Sequence, residues 1–249
     1  MNWRLKLVRA LEILANDTVL DIATGTADVA ILLANESNVF TSQDPSESLL
    51  SPIIGIDPSM EMLNIGQQKL QKLHLQHHIQ LLFGDVQNMS RFESQYFSKI
   101  SMSFGLRNVE NRTLALLEIF RIFKSSVPFG HPLSKFCILE FSRPSFGYIS
   151  HLTISFIKYA LPTIGTLITG DYKAYKHLSD SILEFPLPNQ LIDELHAIGF
   201  ENCQFENVFY DIVYLYTCSG HFDRSEGDSE KDSDDYEFIA QSELNLNGL

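Results

Sequence analysis

Gly105, Arg107 and Asn108 close an apolar pattern in Ile100-Ser-Met-Ser-Phe-Gly-Leu-Arg-Asn-Val-Glu-Asn-Arg112. Ile100, Met102 and Phe104 alternate as a strand does, and Gly105 ends the run where the backbone can turn away and open a cleft. Arg107 at such a turn presents a fixed positive charge to a ligand, and Asn108 can hold an oxygen. The same two residues could instead cap the helix expected to begin near Arg112. Upstream, Thr18-Val-Leu-Asp-Ile-Ala-Thr-Gly-Thr-Ala-Asp-Val-Ala30 reads as a buried strand, a small-residue turn and a helix start. Ala23, Gly25 and Ala27 leave room for a ligand near the backbone, and the helix brings unpaired N–H groups and a positive dipole end. Asp28 stands where a dinucleotide fingerprint has its third glycine, and a carboxylate there repels a pyrophosphate. S-adenosylmethionine carries a sulfonium and no phosphate, so acidic surroundings suit it.

Two more strand ends repeat the theme. Ile53-Ile-Gly-Ile-Asp57 finishes in a carboxylate that can accept hydrogen bonds from ribose hydroxyls, and Ile79-Gln-Leu-Leu-Phe-Gly-Asp-Val86 finishes in Gly84 and Asp85, placed for an adenine amino group. Each acidic residue alone could be a helix cap or a solvated turn. Three successive strands ending in polar residues at one sheet edge point instead to a shared site.

Elements that hold these residues follow from the periodicity. A helix is expected over 2–15, strands near 18–22, 53–57, 79–83, 100–104 and 136–141, a helix over 189–198, and closing strands over 203–210 and 212–218. Alternating strands and helices predict an α/β, doubly wound and mostly parallel sheet of seven strands. The last two strands, joined almost without a loop at Asp211, predict an antiparallel carboxyl-terminal hairpin.

These motifs together resemble the ubiquinone and menaquinone biosynthesis C-methyltransferases. The resemblance rests on Val19 to Asp28, Gly55-Ile-Asp-Pro-Ser-Met-Glu-Met-Leu63, Phe104-Gly-Leu-Arg-Asn-Val109, Leu139-Glu-Phe-Ser-Arg-Pro144, and Gly170 to Ile182 followed by Phe185-Pro186. It spans residues 3 to 218 and implies a Rossmann-like class I methyltransferase that transfers a methyl group from S-adenosylmethionine to a ring carbon of a polyprenylated benzoquinol or naphthoquinol. Carried over residue by residue, it implies cofactor contacts at Asp21, Gly25, Thr26, Asp57, Asp85, Val86 and Ser103. It implies a catalytic group of Arg107, Asp171, Tyr175 and Asn108, and no metal. Where the family loop has glycine this chain has Ala27, and the covering stretch that family members carry ahead of Trp3 is not in this sequence. A catalytically weak structural subunit of a quinone-synthesising complex, or a methyltransferase for another small molecule, is the alternative.

Composition bounds the remainder. With 249 residues and 45% of them hydrophobic, the chain can bury one sizeable core, so a single catalytic domain is expected over 1–219. Within it, 35–51 reads as a polar surface insertion and 146–186 as an apolar cover. From His221 onward nine Asp and Glu face only Arg224 and Lys231, so that stretch holds −7 of the −13 net charge. An acidic, disordered tail over 220–249 is expected, and nucleic acid is excluded as a partner. No run is apolar enough to span a membrane, though 148–170 is greasy enough to touch one. The resemblance implies peripheral contact with a membrane, with other quinone-biosynthesis proteins or a homodimer as partners. It places a eukaryotic version on the matrix side of the mitochondrial inner membrane and a bacterial one in the cytoplasm. Cys137, Cys203 and Cys218 show no metal spacing and read as reduced core thiols.

Overall fold

A computed structural model describes residues 3–14, 16–36, 52–127, 133–144, 154–160, 163 and 172–222. In chain order its elements are helix α1 (Trp3–Leu11), β1 (Val19–Ile22), α2 (Asp28–Glu36), β2 (Ile53–Asp57), α3 (Met60–Leu73), β3 (Ile79–Phe83) and β4 (Lys99–Ser103). A 3₁₀ turn (Leu106–Asn108) leads to α4 (Arg112–Ile122), β5 (Ser126–Val127) and β6 (Lys135–Phe141). A π-helical turn (Phe156–Ala160), α5 (Tyr172–Glu184), α6 (Pro188–Ile198), β7 (Gln204–Phe209), β8 (Val213–Ser219) and β9 (His221–Phe222) follow. Seven strands form one sheet in the order β3-β2-β1-β4-β6-β8-β7. Neighbours from β3 to β6 run parallel, with Asp21 beside Gly55 and Leu20 beside Ile100, while β8 is antiparallel to both β6 and β7. The chain winds outward to β3 on one side of β1 and then returns to β4 on the other. That reversal leaves a crevice at the carboxyl ends of β1 and β4, where ligands bind in open α/β sheets.

Helix ends are set by local chemistry. The Ser59 hydroxyl accepts from the Met62 N–H at 3.3 Å to start α3, and His74 ends it in the left-handed region. Asn111 caps α4 through the Leu114 N–H at 3.0 Å, and Pro188 occupies the first turn of α6. One face of the sheet packs Leu20, Ile22, Ile100, Phe136 and Tyr214 against α4 and α6. The other packs Val19, Ile53 and Leu139 against α1 and α2. Residues of β1 alternate between the two cores, so all four are buried.

Three readings of the sequence need correction. Helix α1 stops at Leu11 rather than 15, because Glu12 turns into the left-handed region (φ 52°) and its carboxylate pairs with Lys135 at 2.8 Å. Cys203 and Cys218 are not reduced thiols but a disulfide, since Gln204 pairs with Thr217 and the preceding and following residues therefore meet across the hairpin, Cα to Cα 4.0 Å. Only Cys137 is free, and it is buried. Residues His221–Phe222, expected to open a disordered tail, pair instead with Ser126–Val127 in a small parallel sheet. The insertion at 37–51, the tail from 223 and the cover at 145–153 and 164–171 lie outside the described residues. The predicted hairpin is present: Tyr210 and Asp211 both have positive φ and the Ile212 N–H donates to the Phe209 carbonyl at 2.9 Å, a turn whose twist suits two adjoining strands.

Candidate functional site

Four strand ends converge on a cavity of ≈ 560 Å³ at the crevice between β1 and β4. β1 supplies Ile22, Ala23 and Gly25, β2 supplies Asp57 to Ser59, β3 supplies Gly84 to Gln87, and β4 supplies Phe104, Gly105 and Asn108 to Glu110. The turn after β1 is wound tightly: Ala23, Gly25 and Ala27 all have positive φ, and the Ala27 N–H donates to the Thr24 carbonyl at 2.9 Å. Fully buried Ala27 abuts the space beside Gly66, where an added Cβ would come 3.3 Å from its methyl. Gly105 has no such room, because a Cβ there would lie 2.5 Å from the Ala23 Cβ. The β1 and β4 turns thus touch, and only glycine permits it.

Asp57 organises the floor. One carboxylate oxygen accepts from the Gly25 N–H at 2.9 Å and the other from the Ser59 N–H at 2.8 Å. Each oxygen keeps a second lone pair for a ligand hydroxyl. Asp85 is exposed at the rim and accepts from the Gln87 backbone at 2.9 Å, while the Gln87 side-chain oxygen accepts from the Asn111 N–H at 2.9 Å and joins β3 to α4. Asp57, Asp85 and Glu110 line the cavity, and no lysine or arginine does among the described residues. Such a lining repels phosphate and accommodates a cation.

Gly25, Asp57, Asp85, Val86 and Asn108 from the sequence reading therefore line one cavity. Asp21, Thr26 and Ser103 are not among its lining residues. Asp21 is buried, accepts from the Ser101 hydroxyl at 2.7 Å, and has its carboxyl pushed up to about 6 by burial. Thr26 accepts from Lys69 at 2.7 Å, and the same ammonium pairs with Asp28 at 2.6 Å. The Ser103 hydroxyl is buried without a partner among the described residues.

Arg107 lies beside the cavity rather than in its lining. Its guanidinium donates to Glu140 at 2.8 Å and to the Phe104 carbonyl at 3.3 Å, and stands 5.2 Å above the Phe141 ring. Its Nε is buried with no hydrogen-bond partner among the described residues. Glu140 is fully buried, and burial raises its carboxyl above the usual range despite the guanidinium beside it. Sequence reasoning did not assign a role to Glu140 or to Phe104. Glu140 carried a signal nonetheless, because a carboxylate inside a run of buried strand residues needs a cation. Tyr175 is half-buried on α5, the helix that packs on the Leu106–Asn108 turn. Asp171 lies outside the described residues.

The model of the ubiE/COQ5 methyltransferase family matches residues 1–219. The chain belongs to this family. It is 33% identical over 216 residues to a protein of Geotalea daltonii named ubiquinone/menaquinone biosynthesis C-methyltransferase UbiE, covering 87% of this chain and 84% of that one. A demethylmenaquinone methyltransferase of Porphyromonas gingivalis is 31% identical, covering 86% and 80% respectively. Among solved structures, a SAM-dependent methyltransferase from Aquifex aeolicus superposes with a TM-score of 0.53 at 15% identity, over 87% of this chain and 88% of that one. The [4+2]-cyclase SpnF does so with a TM-score of 0.62 at 15% identity, over 88% and 80%. At that identity the structural likeness supports the Rossmann-like methyltransferase fold, and the family membership supports the chemistry.

Proposed function

We propose that the protein methylates a ring carbon of a polyprenylated benzoquinol or naphthoquinol with S-adenosylmethionine as donor, in quinone biosynthesis. The observation that carries the reading is the cavity lining: a ribose-competent carboxylate at the end of β2, two further carboxylates, and no basic side chain among the described residues. These residues fit the donor. Asp57 would hold the ribose hydroxyls, Asp85 and Val86 the adenine, and the open backbone at Gly25 the methionine end.

When bound, the donor supplies a methyl group on a positively charged sulfur, which keeps the bonding electron pair as the methyl leaves. A quinol carbon is a weak nucleophile until a neighbouring hydroxyl is deprotonated. Arg107, its guanidinium fixed by Glu140 beside the cavity, would stabilise the resulting oxyanion by its positive charge. Asn108, exposed at the rim, would orient a second ring oxygen. Asp171 would accept the proton, directly or through water, with Tyr175 four residues on in the sequence as its companion. The ring carbon gains the methyl and then loses its own hydrogen as a proton, which restores the aromatic ring.

A polyprenyl tail confines such a substrate to a bilayer, so the enzyme would work in peripheral contact with a membrane. That face would be the matrix side of the mitochondrial inner membrane in a eukaryote and the cytoplasmic side in a bacterium. No helix among the described residues is long and apolar enough to cross one. The test is calorimetric titration with S-adenosylmethionine, then mass analysis of a short-chain quinol incubated with it. A gain of one methyl on a ring carbon is expected. Cofactor binding with no methylated product would favour a structural subunit, and methylation of another small molecule in preference would replace the substrate.

A further inference from the structure

Phe104 stands out as a large side chain held in a backbone conformation that favours glycine. Its φ is 56°, it lines the cavity, and its N–H donates to the Leu139 carbonyl at 2.8 Å. A bulky residue in the left-handed region is an outlier, and such outliers persist where the surroundings over-determine them. Here the surroundings are aromatic and come from three separate elements. Phe141 at the end of β6 lies 4.7 Å from the Phe104 ring at an angle of 36°. Trp3 at the start of α1 meets it edge-on at 6.4 Å, and Trp3 is itself braced 4.9 Å from Phe209 on β7. Filling space would not require a residue in this backbone state, and the neighbouring position, Gly105, cannot carry a side chain at all.

We infer that Phe104 is the residue on which the acceptor's aromatic ring stacks, with Trp3 and Phe141 as positioning residues that fix its angle; this deepens the quinol reading and rests on it. Offset stacking of two rings matches the negative face of one to the positive edge of the other, which suits a flat ligand and discriminates against a flexible aliphatic one. A ring packed on Phe104 has one face blocked. Methyl transfer to a ring carbon comes from above or below the ring plane, so only the opposite face stays open to the donor. The Arg107 guanidinium lies over the same Phe141 ring, which puts the stacking face and the proposed oxyanion partner in one aromatic cluster.

Trp3 is the chain's only tryptophan, so the site carries its own reporter. The full chain, saturated with S-adenosylhomocysteine, is titrated with a short-chain methoxylated 1,4-benzoquinone while Trp3 emission is recorded. Saturable quenching is expected in the wild type. Phe104→Leu keeps apolar bulk without the ring face and should raise the quinone dissociation constant at least fivefold, and Phe104→Tyr should restore it. Calorimetric affinity for S-adenosylmethionine should change less than twofold in both variants, which also shows that they are folded. Quinone affinity unchanged in Phe104→Leu would overturn the stacking role and leave the quinol reading standing. An equal loss of cofactor and quinone affinity would make Phe104 part of the cofactor wall and overturn it too. Wild-type protein that binds S-adenosylmethionine but gives no saturable quenching would overturn both the stacking role and the quinol reading.

Discussion

Asp57 does two jobs with one carboxylate, and the two can be separated. Its bonds to the Gly25 and Ser59 N–H groups hold the floor of the cavity, and its carboxylate lines that cavity. Asp57→Ala should lower S-adenosylmethionine affinity at least tenfold, as a charged hydrogen-bond acceptor contributes about 1.5–3 kcal/mol. Asp57→Asn keeps one acceptor oxygen and should lose less, which calorimetry will rank. Asp21 tests a different case, a buried carboxylate outside the cavity lining. Burial lifts its carboxyl to about 6, so between about pH 4 and 6 the folded protein holds a proton that the unfolded chain releases. Stability therefore falls as pH rises through that window, by roughly 3 kcal/mol. Asp21→Asn should be more stable than wild type at pH 7.5 in urea melts, with the advantage fading toward pH 4. The sequence made Asp57 legible because strand, carboxylate and helix start are contiguous there. It does not report that Asp21 and Ser103 stand outside the cavity lining, since a polar residue near a strand end looks the same whether it faces the crevice or the layer beneath.

Contacts between elements decide how the turn that carries Arg107 is held. Glu140 reaches from β6 to both the Arg107 guanidinium and its backbone N–H, clasping the Leu106–Asn108 turn to the sheet. Removing one partner of a buried pair costs about 3–5 kcal/mol. Glu140→Gln should lower stability by about 3 kcal/mol in a denaturant melt and reduce turnover far more than cofactor affinity. A second test concerns the turn between β1 and α2. Ala27 tolerates φ 65° with its methyl against Gly66, and a β-branched side chain there has no allowed place. Ala27→Val should destabilise the protein by at least about 2 kcal/mol, read as a lower Tm, and weaken S-adenosylmethionine in parallel. Strand positions were legible to within a residue because short apolar runs bounded by turn residues are a strong signal. Two-residue strands such as Ser126–Val127 show no period at all. The Cys203–Cys218 pairing depends on hairpin register, which becomes visible only once Gln204 is known to face Thr217. Phe104 continued the apolar alternation of β4 in sequence, and nothing in that alternation reports that the strand ends at Ser103 and the next residue turns left-handed.

At the scale of the whole molecule, the charge is strongly negative and the site shares its sign. A ligand that binds only the folded state stabilises it by about 2.7 kcal/mol at a hundredfold excess over its dissociation constant. For a domain of this size that is a rise of about 5 °C or more in Tm. S-adenosylmethionine should produce it, and NAD at the same concentration should not, because its pyrophosphate meets Asp57, Asp85 and Glu110. A thermal scan with each ligand checks both halves.

The strand order carries one more consequence, for synthesis. β8 is the last of the seven large-sheet strands to leave a ribosome, yet it sits inside the sheet between β6 and β7. The cavity-bearing strands β1 to β4 and the start of α4 can assemble among themselves while translation continues, since every pairing among them is between earlier segments. The outer edge of β6 cannot be covered until residue 219 has emerged, and until then Phe136 and Ile138 border an open edge able to recruit another chain. A nascent chain stalled ahead of Val213 thus holds most of the cavity and none of the protection, and the final strand serves as the seal that ends its exposure to aggregation.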